Sequence, residues 1–224
     1  MSDPDIVIAG AGPAGLLVAR WIRSSDVLLV ERSAKPGYPP HCTGLVSPRT
    51  ARLIGYPEAV GEEYECAVFL DEGFRERCRI CGSPLAVRVR RPLLEELLAG
   101  DVEAQGHRIL YSTRLVGFRE GKVVLASRSK HSSVTPSRLI LAVGAQGLKL
   151  ADHLLGSHYC ERLVGLEVRV RLSHRPAGVS PDSFYTIHCS RFSPEMFAWL
   201  VPLEYGRELL IGLASSSYQL DRLS

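Results

Sequence analysis

The chain has 224 residues, 46% of them hydrophobic and 23% charged, with a formal net charge of +3. That length buries a substantial core in one large or two small domains, the composition excludes a disordered or fibrous chain, and the scattered basic residues form no stripe for nucleic acid. No apolar run approaches a bilayer span, and no charged, apolar and cleavage-site series of a secretory leader begins the chain, so the expectation is a cytoplasmic protein.

The first predicted element is a β-branched strand, Ile6 to Ala9, followed by a turn with Gly10, Gly12 and Gly15, an apolar helix from about Pro13 to Arg23, and a second strand ending on Glu31. This order is the dinucleotide-binding βαβ unit. Gly10 turns the chain tightly off the strand, Gly12 leaves the backbone open to a pyrophosphate, and Gly15 lets the helix lie close to the sheet. Pro13 suits a first helical turn, and the free N–H groups of that turn, at Ala14 and Gly15, face a diphosphate. Glu31, 16 residues after Gly15, is placed to accept from both ribose hydroxyls. A 2′-phosphate would be repelled by it, so the expected adenylate is unphosphorylated.

Next comes "RSAKPGYPPHCTGLVSP", a proline-rich loop able to line a ligand with backbone groups, and then a short helix near Arg49 to Ile54. The stretch "YECAVFLDEGFRERCRI" alternates across an Asp-Glu-Gly turn as a hairpin, and "LAVRVR" reads as a further strand. "RRPLLEELLAGDVEAQG" is helical, with Leu94, Leu97 and Leu98 on one face. "RILYS", a hairpin turning at Glu120 and Gly121, and the buried strand of "SRLILAVGAQG" follow. From Arg162 the helical pattern ends, and four apolar segments down to "ELLIGLAS" read as an antiparallel sheet. Two lobes with a crevice between them are expected, and ligands favour such crevices.

Six cysteines stand at positions 42, 66, 78, 81, 160 and 189. Cys78 and Cys81 form the only close pair, without a second pair to complete a zinc site or a strand-to-helix redox motif around them. Buried or incidental thiols and a structural disulfide both remain open.

Several of these motifs together resemble the FAD-dependent geranylgeranyl reductases, within the flavoprotein group that includes the aromatic hydroxylases. The similarity runs from Asp5 to about Ser215. "GAGPAGLLVA" followed by "VER" looks like the group's FAD-adenosine signature, which brings in Arg32 beside Glu31. "RPLLEELL" is similar to its R-x-x-L-x-x-x-L helix, with Arg91, Leu94 and Leu98 matching and the arginine implied to lie beside the flavin nucleotide. "PPHCTGLVSP" looks like the cysteine-bearing loop near the flavin ring, so Cys42, Thr43 and Gly44 are implied there. "FAWLVP" is similar to the Y-x-W-x-F-P substrate motif, with Phe197, Trp199 and Pro202 in place and Val201 substituting for an aromatic. "LILAVGAQG" stands in place of the A-D-G segment, keeping Gly144 but with Val143 where an aspartate is usual, and a late G-D-A segment would come after residue 224.

The fold class implied is α/β: a Rossmann-type FAD-binding domain with inserted strands over residues 1–60 and 88–157, and an antiparallel β-sheet substrate lobe, cut short, over 61–87 and 158–224. The implied activity is reduction of isolated double bonds in prenyl lipids by hydride from reduced FAD. The electron donor would be NAD(P)H or ferredoxin, and contact with membrane at most peripheral. Cys42 is the candidate closest to the reaction, and His41 beside it is a weaker proton donor. The alternatives are an aromatic-type monooxygenase, which would need a more polar pocket, and a dinucleotide-binding protein without catalysis.

Overall fold

The computed structural model describes residues 3–40, 42–128, 130–156, 163–191, 193 and 196–216. In chain order they form β1 (Ile6–Ala9), α1 (Pro13–Trp21), β2 (Val27–Val30), β3 (Leu45–Val46), α2 (Pro48–Ile54), β4 (Val60–Leu70), β5 (Glu76–Val89), α3 (Arg91–Ala104), β6 (Arg108–Leu110), β7 (Thr113–Arg119), β8 (Lys122–Ser127), β9 (His131–Val134), β10 (Arg138–Leu141), α4 (Leu148–Leu155), β11 (Leu163–Arg171), β12 (Ser183–Ile187), β13 (Ala198–Leu203) and β14 (Glu208–Ser216). The chain divides into two compact units, residues 1–40 with 91–159, and residues 41–90 with 160–224. Residues 41–60 and 88–90, expected with the nucleotide domain, fold in the second unit because β3 pairs antiparallel with the end of β5.

The first unit is layered. A four-stranded parallel sheet, ordered β10-β1-β2-β6, carries α1 and α3 on one side and the three-stranded meander β7-β8-β9 on the other. The alternation of a strand decides which residue meets which layer. Val7, Ala9, Leu28 and Val30 pack with Leu115, Val123 and Leu125 of the meander in one fully enclosed cluster. Ile8, on the opposite face, lies under Gly15 of α1. Both central strands are buried on both faces, as continuous apolar runs in a covered parallel sheet should be. β10, expected to be buried, is instead a half-buried edge strand. The helix α4 was hidden in the sequence by the two glycines before it. Leu150 and Leu154 give it an apolar stripe against the same cluster.

The second unit is a seven-stranded sheet ordered β11-β14-β13-β12-β4-β5-β3. It is antiparallel except where β12 runs parallel to β4, a pairing that joins residues more than a hundred positions apart and leaves no local signal. Tyr64, Val201, Leu203 and Leu210 form its buried cluster, with Leu45, Phe184 and Trp199 against it. β5 is one strand of 14 residues rather than a hairpin arm and a separate strand. Its Gly82–Leu85 stretch bows out of register between the Cys81–Cys66 and Ala86–Tyr64 pairs, so Pro84 can sit inside the strand without interrupting the ladder. Among the described residues no helix is long and apolar enough to cross a membrane.

Candidate functional site

The glycine turn is closed where the fold needs closeness and open where a ligand would need room. An added Cβ on Gly15 would stand 1.9 Å from the Gly10 carbonyl oxygen, and one on Gly10, whose φ is +104°, would stand 2.3 Å from the Ala142 oxygen. Both positions therefore require glycine. At Gly12 nothing lies within 4 Å of the same point, so the missing side chain leaves free space above the turn. Gly12 is also the N-cap of α1 and provides no side-chain cap, and Pro13 has no N–H to satisfy. The amides of Ala14 and Gly15 are left to a ligand at the positive end of the helix.

Glu31 closes the other side. Its Oε2 accepts from Ala11 N at 2.9 Å and its Oε1 from Ser33 N at 2.8 Å. Each carboxylate oxygen keeps a further lone pair for a ribose hydroxyl. The chain then runs into Arg32, which is exposed. Gly144 lies two residues beyond Ala142, whose N–H bonds to Ala9 O at 2.8 Å, so the β10 turn adjoins the Gly10 turn. Gly144 has φ +60° and ψ −172°, a conformation for glycine alone, and a Cβ there would meet nothing within 4 Å. Val143 turns inward against the nucleotide-side core and lies against Gly147. Its packing role explains an apolar residue at this place.

Arg91 is engaged within its own helix. Its Nε and Nη2 donate to Glu95 Oε1 at 2.9 and 2.5 Å, while Glu95 Oε2 accepts from Gly37 N at 3.0 Å. Glu95 is 5% exposed. Gly37 in turn rests against α3 so closely that a Cβ would stand 2.5 Å from Pro92 Cα. The buried carboxylate thus ties the proline-rich loop to the helix that carries Arg91. Sequence reasoning missed Glu95, although the i,i+4 spacing to Arg91 was its signal.

In the second unit, Cys42 is exposed, and its Sγ accepts from Gly44 N at 3.4 Å. Gly44 has φ +77°, and a Cβ there would meet Val89 O at 2.2 Å. Gly44 O accepts from Val89 N at 2.9 Å, and Thr43 O accepts from Arg88 Nε at 3.2 Å. Arg88 is held at 3.0 Å by Glu62. Burial pushes the Glu62 carboxyl up, but hydrogen bonds from the backbone and from Arg88 outweigh it and hold the group below the usual glutamate value. The cysteine loop is therefore fastened to the end of β5 at Thr43 and Gly44. Arg88 and Glu62 lie 26 positions apart on neighbouring strands, which no sequence spacing reveals. His41 lies outside the described residues.

Phe197 and Trp199 meet edge-on with ring centroids 6.3 Å apart. The indole lies across Gly212 of β14, where an added Cβ would come within 2.3 Å of its ring, and its Nε1 donates to Glu167 Oε2 at 3.1 Å. Val201 continues that face into the buried cluster, so it stands in the expected aromatic's row but is fully enclosed. Pro202 is buried on the opposite face of β13, and its carbonyl accepts from Tyr64 OH at 2.7 Å. It does not line the surface that Phe197 and Trp199 form. Burial is the main cause of raising the Tyr64 phenol well above its ordinary value.

A disulfide joins Cys66 to Cys81, leaving Cys78 exposed as a free thiol. Residues three apart on a strand point to opposite faces, so Cys78 and Cys81 are poorly placed to pair. Cys66 and Cys81 stand directly opposite each other across the β4–β5 ladder, with Cα atoms 4.2 Å apart.

No protein-family model matches the chain. Its curated relatives include a digeranylgeranylglycerophospholipid reductase of Methanocella arvoryzae, 22% identical over 95% of this chain and 56% of that protein. Digeranylgeranylglycerophospholipid reductase 1 of Methanopyrus kandleri is 30% identical over 65% of this chain and 40% of its own. The chain spans about half the length of the curated relatives it matches. Among solved structures, a geranylgeranyl bacteriochlorophyll reductase-like protein of Thermoplasma acidophilum superposes with a TM-score of 0.78 at 18% identity, over 100% of this chain and 62% of that one. The flavin-dependent halogenase CmlS gives 0.73 at 18% identity, over 100% and 43%. The comparisons thus agree with the resemblance read from the sequence: the chain is similar to proteins named digeranylgeranylglycerophospholipid reductase, and its fold is shared with a geranylgeranyl bacteriochlorophyll reductase-like protein and with flavin-dependent halogenases and monooxygenases.

Proposed function

We propose that the chain carries the nucleotide turn and the substrate sheet of an FAD-dependent oxidoreductase that reduces isolated double bonds of prenyl lipids. The observation that carries the nucleotide half is the contrast within one turn: Cβ positions blocked at Gly10 and Gly15 and open at Gly12. The named activities of the sequence relatives and the flavin dependence of the fold neighbours support the rest.

The residues present fit the cofactor. Gly12, with the amides of Ala14 and Gly15, would receive the diphosphate, Glu31 the adenosine ribose, and the Gly144 turn the approach of the same phosphates. Arg91 would face the anionic flavin nucleotide with the guanidinium edge that Glu95 leaves free, and Cys42, Thr43 and Gly44 would lie toward the ring. When bound, reduced flavin supplies a hydride, the hard part of the chemistry. An isolated alkene offers a side chain little to polarise, so the work left to the chain is to hold an apolar substrate in register and to exclude water. Phe197 and Trp199 provide a paired aromatic surface for that, with the Trp199 N–H already satisfied by Glu167. Cys42 is in a position to shape the loop through its bond to Gly44, and we assign it to substrate or flavin positioning.

The test is an absorption spectrum of the purified chain after FAD is added, followed by anaerobic reduction and mixing with a geranylgeranyl lipid. Flavin bands that bleach on reduction and return with the lipid support the reading. No flavin bound at saturating FAD refutes the cofactor assignment. Bound flavin that ignores the lipid but reoxidises with an aromatic substrate and oxygen moves the reading to a monooxygenase.

A further inference from the structure

The face of the second unit's sheet that carries Phe197 and Trp199 does not end at β13. Strand register continues it across three neighbours: Trp199 stands opposite Thr186 of β12, Thr186 beside Phe69 of β4, and Phe69 opposite Cys78 of β5. Residues paired across a ladder share a face, so these four side chains form one row. Two positions along the same strands, the adjacent row holds Ala67 and Ile80.

The make-up of this face is the reverse of what open water favours. A solvated sheet face turns its polar residues outward. Here Phe69 is 37% and Ile80 51% exposed, Cys78 is an exposed thiol, and none of the six residues is charged. The charge of the arm lies elsewhere. Arg79 stands opposite Val68 on the other face, where the Cys66–Cys81 bond also lies. A single exposed apolar residue needs no explanation, but a contiguous row joined to an aromatic pair marks a surface for a ligand. From β13 to β5 the row crosses three inter-strand spacings, about 14 Å.

We propose that this row is the bed of the prenyl chain beyond the double bond held at Trp199, so that Phe69 and Ile80 select substrates by chain length. This deepens the prenyl-lipid reading given above and rests on it. An uncharged hydrocarbon suits the bed because the backbone groups of β12 and β4 beneath it are paired within the sheet, so covering them strands no polar atom. A polar ring would find the Thr186 hydroxyl and little else. Covering Phe69 and Ile80 should be worth about tenfold in affinity to a chain long enough to reach them.

Geraniol, farnesol and geranylgeraniol, which differ only in length, test this by fluorescence titration of a Trp21→Phe chain, where Trp199 is the sole indole. Geranylgeraniol should bind at least tenfold more tightly than geraniol. A further Phe69→Ser, Ile80→Ser change should reduce that preference to about threefold or less with an unchanged melting temperature, since both side chains are exposed. In the unaltered chain, saturating geranylgeraniol should slow iodoacetamide alkylation of Cys78 at least fivefold, read by peptide mass spectrometry, and saturating geraniol less than twofold. A Trp199 response with Cys78 alkylated at its free rate, or with the length preference intact in the double variant, overturns the bed and leaves the prenyl reading standing. No Trp199 response to any of the three alcohols refutes the prenyl reading itself, and the bed with it.

Discussion

Alanine at Gly15 and alanine at Gly12 should have opposite consequences, although the two glycines are three residues apart. At Gly15 the new Cβ would lie 1.9 Å from a backbone oxygen and 3.3 Å from Ile8 Cγ2, so α1 must lift off the sheet by more than an ångström to reach ordinary contact. Overpacking of this kind costs about 1–3 kcal/mol, and a backbone obstacle places it near the upper end. A chain of this size loses about 2–4 °C of melting temperature per kcal/mol, so Gly15→Ala should melt about 6–12 °C lower. Gly12 has φ −76° and ψ −176°, extended backbone open to any residue, with nothing within 4 Å of its Cβ position. Weaker N-capping by alanine, about 0.5–1 kcal/mol, is offset by a similar loss of unfolded-state entropy. Gly12→Ala should therefore melt within about 2–4 °C of the parent while binding FAD or ADP at least tenfold more weakly, because the methyl group occupies the space meant for phosphate oxygens. Thermal melts by circular dichroism and titration by flavin fluorescence read the two quantities separately. A Gly12→Ala chain with unchanged affinity, or a Gly15→Ala chain with an unchanged melting temperature, would refute the division of roles.

Glu95→Ala leaves the Arg91 guanidinium and the Gly37 N–H without their buried partner, and should cost about 2–3 kcal/mol; hydrogen exchange should quicken at Gly37, and an unchanged rate there would show that the loop is held by other means. Reducing the Cys66–Cys81 bond, or replacing Cys81 by serine, opens a loop with a sequence separation of 15 and should cost about 3 kcal/mol on the chain-entropy account, whereas Cys78→Ser should leave the melt unchanged. Glu62 titrates below the usual glutamate value in the folded chain; its contribution is therefore present above the unfolded value and is lost as pH falls through the lower, folded one. Urea melts from pH 5 down to pH 3 should show a shallower acid decline in Glu62→Gln than in the parent, and equal slopes would remove Glu62 from the balance.

What could be read from the sequence was whatever chemistry is local. The strand, the three glycines, the helix and Glu31 occupy one continuous stretch, and each owes its place to neighbours within it or to a general rule of βα geometry. The hairpin turn at Glu120 and Gly121 was legible for the same reason, since both residues adopt positive φ. What could not be read depends on distant partners. Pro202 counted as part of a motif, yet strand alternation turns it away from Trp199, and only the register of β13 against β14 shows which residues share the aromatic face. The C-x-x-C spacing drew attention to Cys78, while the bonded partner of Cys81 was fixed by the β4–β5 register.

The pairing of β12 with β4 also bears on how the chain is made. β1 finds its last partner, β10, once residue 141 has left the ribosome, whereas β4 waits for residues 183–187. The first unit can close during synthesis while the β4–β5 arm is still unpaired along one edge. Long-range partners of this kind slow folding and leave apolar strand edges available to wrong neighbours. The Cys66–Cys81 bond lies inside the waiting arm and needs nothing downstream to form. Oxidised early, it would lock the β4–β5 register before the parallel partner arrives, acting as a guide for assembly as much as a brace for the finished sheet.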